Sequence, residues 1–175
     1  MAIADSFFLD AGVSYYSETG FDDLAGLWHL EGETVTVLAD GVVYEGLTVA
    51  NGHVALPITA YKAHVGKSYS ADAQTLPTVL ERVAALGQAS KGNVNKVVLR
   101  VKNSAPVMVG PNFVDMTEYN ASDPETEGTE DYLVTGHMEV VIEPSWTDDV
   151  RLCIRQDKPL PLELLSLSLD VAKGG

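Results

Sequence analysis

The chain has 175 residues, 46% of them hydrophobic and 21% charged. That is enough for one domain or two small ones with a real core, and it excludes disorder of the whole chain. A formal charge of −14 argues against tight binding to nucleic-acid phosphates, which needs a net basic face, and the single cysteine, Cys153, excludes an intrachain disulfide framework and any Cys-cluster metal site.

The opening "MAIADSFFLD" has no basic segment, and Asp5 and Asp10 break its apolar run, so no secretory leader is expected. No stretch approaches the roughly 20 apolar residues of a membrane span, and a soluble chain is the expectation. Charge is unevenly distributed. Nine acids and no Lys or Arg precede Lys62, and eleven acids and no base lie between Asn103 and Val150. Most bases, including Arg82, Lys91, Lys96, Arg100 and Lys102, fall between these blocks. Their simplest role is to offset the acidic segments within the chain or across an oligomer interface.

Along the chain, "ETVTVLADGVVYEG" alternates Thr34, Val35, Thr36 and Val37 and then reaches Asp40-Gly41. An Asp-Gly pair between β-rich runs predicts a two-residue hairpin turn, because both turn positions need positive φ. "LTVANGHVAL" repeats the signal with Asn51-Gly52. The two turns predict an up-and-down meander of about four strands, with "YKAHVGKSY" as a further one, curled into a small barrel that removes exposed edges. Glu31, Glu33 and Asp40 then read as solvated turn residues.

"TLPTVLERVAALGQASKGN" predicts one short helix: Val79, Leu80, Val83, Ala84 and Leu86 fall near helical spacing, after Pro77 and before Gly87. "NKVVLRVKN" alternates Val97, Leu99 and Val101 with Val98, Arg100 and Lys102, a strand with one wet face. "APVMVGP" predicts a partner strand, and "VTGHMEVVIEP", "DVRLCIRQD" and "PLELLSLSLDV" three more. The fold class is therefore all-β, with three parts. Residues 1–76 form an N-terminal strand and a small meander or β-barrel, 77–92 a short helix and loop, and 93–175 a β-sandwich-like unit.

Signatures of chemistry are lacking. His29 and His53 have no i, i+4 relation and no nearby Cys, so a zinc site is not indicated. The acids around Glu125, Glu127, Glu130 and Asp131 do not match an EF-hand loop. The lone Gly-Lys near residue 91 lacks P-loop spacing, and no His-Cys motif marks Cys153 as a nucleophile. Cys153 falls on the polar-patterned face of its strand, as a small half-buried thiol. A hydrolase would need two facing carboxylates, which abundance alone does not supply. No enzyme, cofactor or metal is predicted. Trp28, Tyr44, Tyr61 and Trp146 could line a sugar-binding face, or pack in a core or interface.

Several phrases occur together and in order: "DSFFLDAGVSY", "LWHLEGETVTVLADG", "HVGKSYSADAQTLP", "NKVVLRVKNS" and "IRQDKPLPLELLSLSLDV". They resemble the C-terminal region of the tail tubular or nozzle proteins of short-tailed bacteriophages, including a stretch labelled similar to a small β-barrel of ubiquitin-activating enzymes. The resemblance implies a structural virion subunit, typically in a six-fold ring, that contacts other tail proteins. DNA would pass through that ring transiently, without specific binding. It implies no catalytic residue. Such proteins are several times longer, so the chain is expected to correspond to a C-terminal piece of one. On this reading Glu125, Glu127, Glu130 and Asp131 form an acidic loop facing a lumen or solvent, where they repel phosphates. The alternative is a glycan- or receptor-binding β module at the tail tip, using Trp28 and Trp146.

Overall fold

Asp40-Gly41 and Asn51-Gly52 are both built as the dipeptides demand. Their φ values are 50° and 95° in the first pair, 55° and 73° in the second, the left-handed values of a type I′ turn. The computed structural model describes residues 3–78, 91–119 and 133–174. Among the described residues the regular elements are eleven strands in three antiparallel sheets and two three-residue 3-10 turns, Ile3–Asp5 and Trp28–Leu30. The protein is all-β. The short helix expected within 77–92 falls on residues of which 79–90 are outside those described. Among the described residues no helix is long and apolar enough to cross a membrane.

The chain divides into two compact units, changing over between Ser70 and Ala71 and returning briefly to the first unit at Asp157–Pro161. The first unit holds β1 (Asp10–Ala25), β2 (Thr34–Ala39), β3 (Val42–Thr48) and β4 (His53–Lys67), in the order β1-β4-β2-β3. This corrects the expected up-and-down barrel. The sheet ends at β1 and β3, and β4 pairs with β1 and β2 rather than running along β3. The connection through Asn51-Gly52 makes only one bridge, Ala50 to His53. "HVAL" and "YKAHVGK" also prove to be one strand. Pro57, which cannot donate to a ladder, sits where the β1–β4 register jumps from Ala60 to Ala55, so its missing N–H breaks no ladder bond there.

Asp40 explains much of the order. Its Oδ1 accepts from Lys62 N–H at 2.8 Å and its Oδ2 from Tyr61 N–H at 2.9 Å, while its own N–H donates to Lys62 O at 2.9 Å. Consecutive N–H groups of a regular strand point to opposite edges, so a carboxylate that takes both marks the bend where β4 leaves β2. Glu31 acts likewise on the other turn, accepting from Asn51 N–H at 2.8 Å and Gly52 N–H at 2.6 Å. Glu33 pairs with Lys67 at 2.9 Å. The acids expected to be solvated turn residues are fastened to backbone or base. Beneath them Val35, Val37 and Ala39 face Leu24, Leu27, Val54, Ala63 and Val65 in a buried cluster, where each large side chain contributes about 1.5–3 kcal/mol.

The second unit stacks two sheets. One is β5 (Ala71–Gln74), β10 (Cys153–Gln156), β7 (Met108–Gly110) and β8 (Thr117–Glu118) in that order, and the other is β11 (Leu164–Lys173), β6 (Gly92–Ser104) and β9 (Val134–Val141). Val97, Leu99 and Val101 from β6 and Met138 and Val140 from β9 meet Val109, Leu152 and Ile154 in one core, which makes the unit a β-sandwich. The alternation read in "NKVVLRVKN" is the observed one, with its apolar face buried.

Glu31→Gln is expected to cost about 1–2 kcal/mol in urea unfolding, the loss of a charged acceptor shared by two N–H groups. Gly52→Ala should cost more than Gly32→Ala. Both glycines have positive φ, but a Cβ at Gly52 would sit 2.7 Å from the Trp28 indole, whereas one at Gly32 meets nothing within 4 Å. Equal losses would show that the indole does not rest on the turn.

Candidate functional site

The stretch from Trp28 to His53 gathers Trp28, Glu31 and His53 around the Asn51-Gly52 turn. Leu27 N–H donates to Gly52 O at 2.9 Å, which docks the Trp28–Leu30 turn on the Asn51-Gly52 loop. The Trp28 ring lies over Gly52 yet is 68% exposed. The next residue, His53, donates from Nδ1 to Asp23 Oδ2 at 2.6 Å, and both side chains are about half exposed. His29 Nε2–H donates to Ala11 O at 2.9 Å. His29 and His53 thus each have a partner within the first unit. Among the described residues no three His, Cys, Asp or Glu side chains converge to hold an ion.

Trp146 is 52% exposed and belongs to the second unit, where its ring borders Gly174. The two tryptophans therefore sit in different units. Glu125, Glu127, Glu130 and Asp131 lie outside the described residues. Asp115, at the start of that acidic segment, is tied down: Asn112 Nδ2–H donates to its Oδ2 at 2.9 Å, and Asn112 Oδ1 accepts from Val114 and Asp115 N–H.

Sequence reasoning missed a pair elsewhere on the first sheet. Ser14 and His64 are cross-strand partners on β1 and β4, with Oγ and Nδ1 2.7 Å apart. His64 Nε2 is 3.1 Å from Ala4 O. A carbonyl only accepts, so Nε2 carries the proton and Nδ1 receives one from Ser14. His64 is 6% exposed and Phe7 packs edge-on against it. Burial, with Lys62 nearby, holds its pKa below the usual value, against the opposing pull of the Ala4 bond and Asp5. Lys62 pairs with Asp5. The group closes the N-terminal segment onto the sheet. Its signal in sequence is slight, because nothing local links Ser14 to His64.

In the second unit Cys153 is buried, and Gln74 Nε2–H donates to its Sγ at 3.3 Å. The thiol does lie on the face shared with Arg155, but the Pro111–Met116 loop covers it: a Cβ at Gly110 would fall 2.0 Å from Asp115 O. That coverage is why the expected half-burial becomes complete. Arg155 donates two bonds of 2.7 Å to Asp72, its cross-strand partner, and lies 5.1 Å from the Phe113 ring centre. Those bonds hold the Asp72 carboxyl below the usual carboxylate range. A concavity of about 500 Å³ opens in this unit between Val114–Thr117 and Ile142–Ser145, and one of about 330 Å³ in the first unit beside β2 and β3.

No protein-family model matches this chain, and no curated protein matches it.

His64 generates a pH dependence with a definite sign. The unfolded chain takes up its proton near pH 6.5, the folded chain only at lower pH. Between those limits the unfolded state binds more protons, so stability is full above about 6.5 and falls as pH drops toward the folded value. His64→Gln, which can keep both bonds, should show a smaller drop in urea midpoint between about pH 7.5 and 5.5 than the parent. An identical drop would assign the dependence to other groups.

Proposed function

We propose that this chain is a structural module of a bacteriophage tail, from the tube or nozzle through which DNA leaves the capsid, and that it carries no catalytic site. The observation that supports this most is where the ordered phrases fall. "DSFFLDAGVSY" is the N-terminal segment and the start of β1, "LWHLEGETVTVLADG" the first 3-10 turn after β1 with β2 and its turn, "NKVVLRVKNS" is β6, and the closing phrase is β10 and β11. These are framework elements, and their polar groups bond to backbone, as Glu31 and Asp40 do.

Each sheet also ends in strands with one unpaired edge among the described residues: β1 and β3, β5 and β8, β11 and β9. Such edges suit association with other tail proteins or with further copies in a ring. A formal charge of −14 suits a wall past which DNA moves without sticking. A second reading, a glycan- or receptor-binding module at the tail tip, is favoured by the exposure of Trp28 and Trp146.

Antibody raised against the chain and visualised with gold on intact short-tailed particles should label the lower end of the tail. Particles with accessible tails and no gold would overturn the structural reading. Retention of host-surface polysaccharide by the chain, lost on Trp28→Ala or Trp146→Ala, would then establish the second.

A further inference from the structure

The smaller concavity, in the first unit, arises from an irregularity in β3. Val35 pairs with Leu47 and Val37 with Tyr44, so Thr36 alone opposes the two residues Glu45 and Gly46. Gly46 takes φ 72°, as a bulge with a left-handed glycine requires. The bulge takes Glu45 out of the regular ladder. Tyr69, just beyond β4, and Asp157, from the segment that rejoins this unit, complete a space of about 330 Å³ with Thr34 and Thr36.

Three properties set this space apart. Its polar side chains among the described residues are all oxygen: hydroxyls that donate and accept, and carboxylates that accept. Among the described residues the side chains of Glu45 and Asp157 have neither a hydrogen bond nor an ion pair, a state they share with Glu18, Asp22, Glu143, Asp148 and Asp170, and they are the two carboxylates that line this space. Thr36 is 4% exposed and also makes no hydrogen bond there. The side-chain oxygen that is sealed from solvent and unpartnered among the described residues is Ser6 Oγ, so Thr36 Oγ1 opens into the space it lines. An unpartnered hydroxyl at the floor of an open space is available to a ligand oxygen, which would replace the water it otherwise meets.

We propose that this concavity binds a single neutral or amino sugar ring. Tyr69, 51% exposed, offers an aromatic face to the C–H side of a pyranose. Glu45 and Asp157 accept from sugar hydroxyls, and Thr36 bonds the buried end. The volume falls within the range of small-molecule sites. A metal ion fits less well, since no third carboxylate, His or Cys joins the two acids among the described residues. Two lining carboxylates, with no lining base among the described residues, select against acidic sugars. This inference does not rest on the tail reading and involves neither tryptophan.

The test is an amide NMR titration of the full ¹⁵N-labelled chain with D-glucose, D-galactose, D-glucosamine and D-glucuronate. Saturable shifts confined to Thr34–Thr36, Glu45–Gly46, Ser68–Ser70 and Asp157 are expected for at least one of the first three, with glucuronate at least tenfold weaker. Tyr69→Ala and, separately, Glu45→Gln should each weaken that binding roughly tenfold while the remaining spectrum stays dispersed. No saturable shift with any of the three, equal binding of glucuronate, shifts centred on Trp28 instead, or full affinity in both variants would overturn the proposal. None of these results depends on where the chain sits in a particle.

Discussion

Two carboxylates, Glu31 and Asp40, each bind a pair of backbone N–H groups, and the first unit is organised around those four bonds. A buried or half-buried turn cannot leave its amides bare, and a charged acceptor satisfies two at once more strongly than a neutral one. Glu31 ties the Trp28–Leu30 turn to the loop before β4, and Asp40 ties the end of β2 to the middle of β4. Together they place β4 beside β2, which leaves β3 as an edge and gives β1 its partner.

That arrangement marks the limit of what the sequence discloses. The turns Asp40-Gly41 and Asn51-Gly52 are legible because positive φ is a local property and the dipeptide states it. The strands β6, β9, β10 and β11 are legible because alternation is local too. Strand order is not. Whether β4 lies beside β3 or β2 depends on a carboxylate reaching amides 21 and 22 residues away, and no pattern within β2 reports it. β5 is illegible for a related reason: "ADAQ" has no β-branched or aromatic residue, and it is a strand because Arg155 and Cys153 lie opposite Asp72 and Gln74. Trp28 and Trp146 could be singled out as amphipathic rings, but their assignment to separate units could not. The concavity beside Thr36 was invisible, since it needs a bulge in β3 and a residue that returns from beyond β10.

The acidity of the chain also looks different once its carboxylates are sorted. Asp5, Glu33, Asp72, Glu139 and Asp149 each hold a base, and Glu31 and Asp40 hold backbone. Net charge therefore overstates the field that an approaching molecule meets near these groups.

The long β1–β4 ribbon carries a further consequence. Its register departs after Tyr16, shifts at Phe21 opposite Ala60, and returns at Asp23 opposite Ala55. As many residues separate Tyr16 from Asp23 as separate Ala55 from Lys62, so the excess on one strand is cancelled by the excess on the other. The inward and outward phase of side chains is thus identical on both sides of the irregularity. Among descendants of this sequence, a residue gained or lost in one excursion would turn half the ribbon inside out unless the other changed with it. A change of two residues in one loop keeps the phase by itself, whereas a change of one has to be matched in the other.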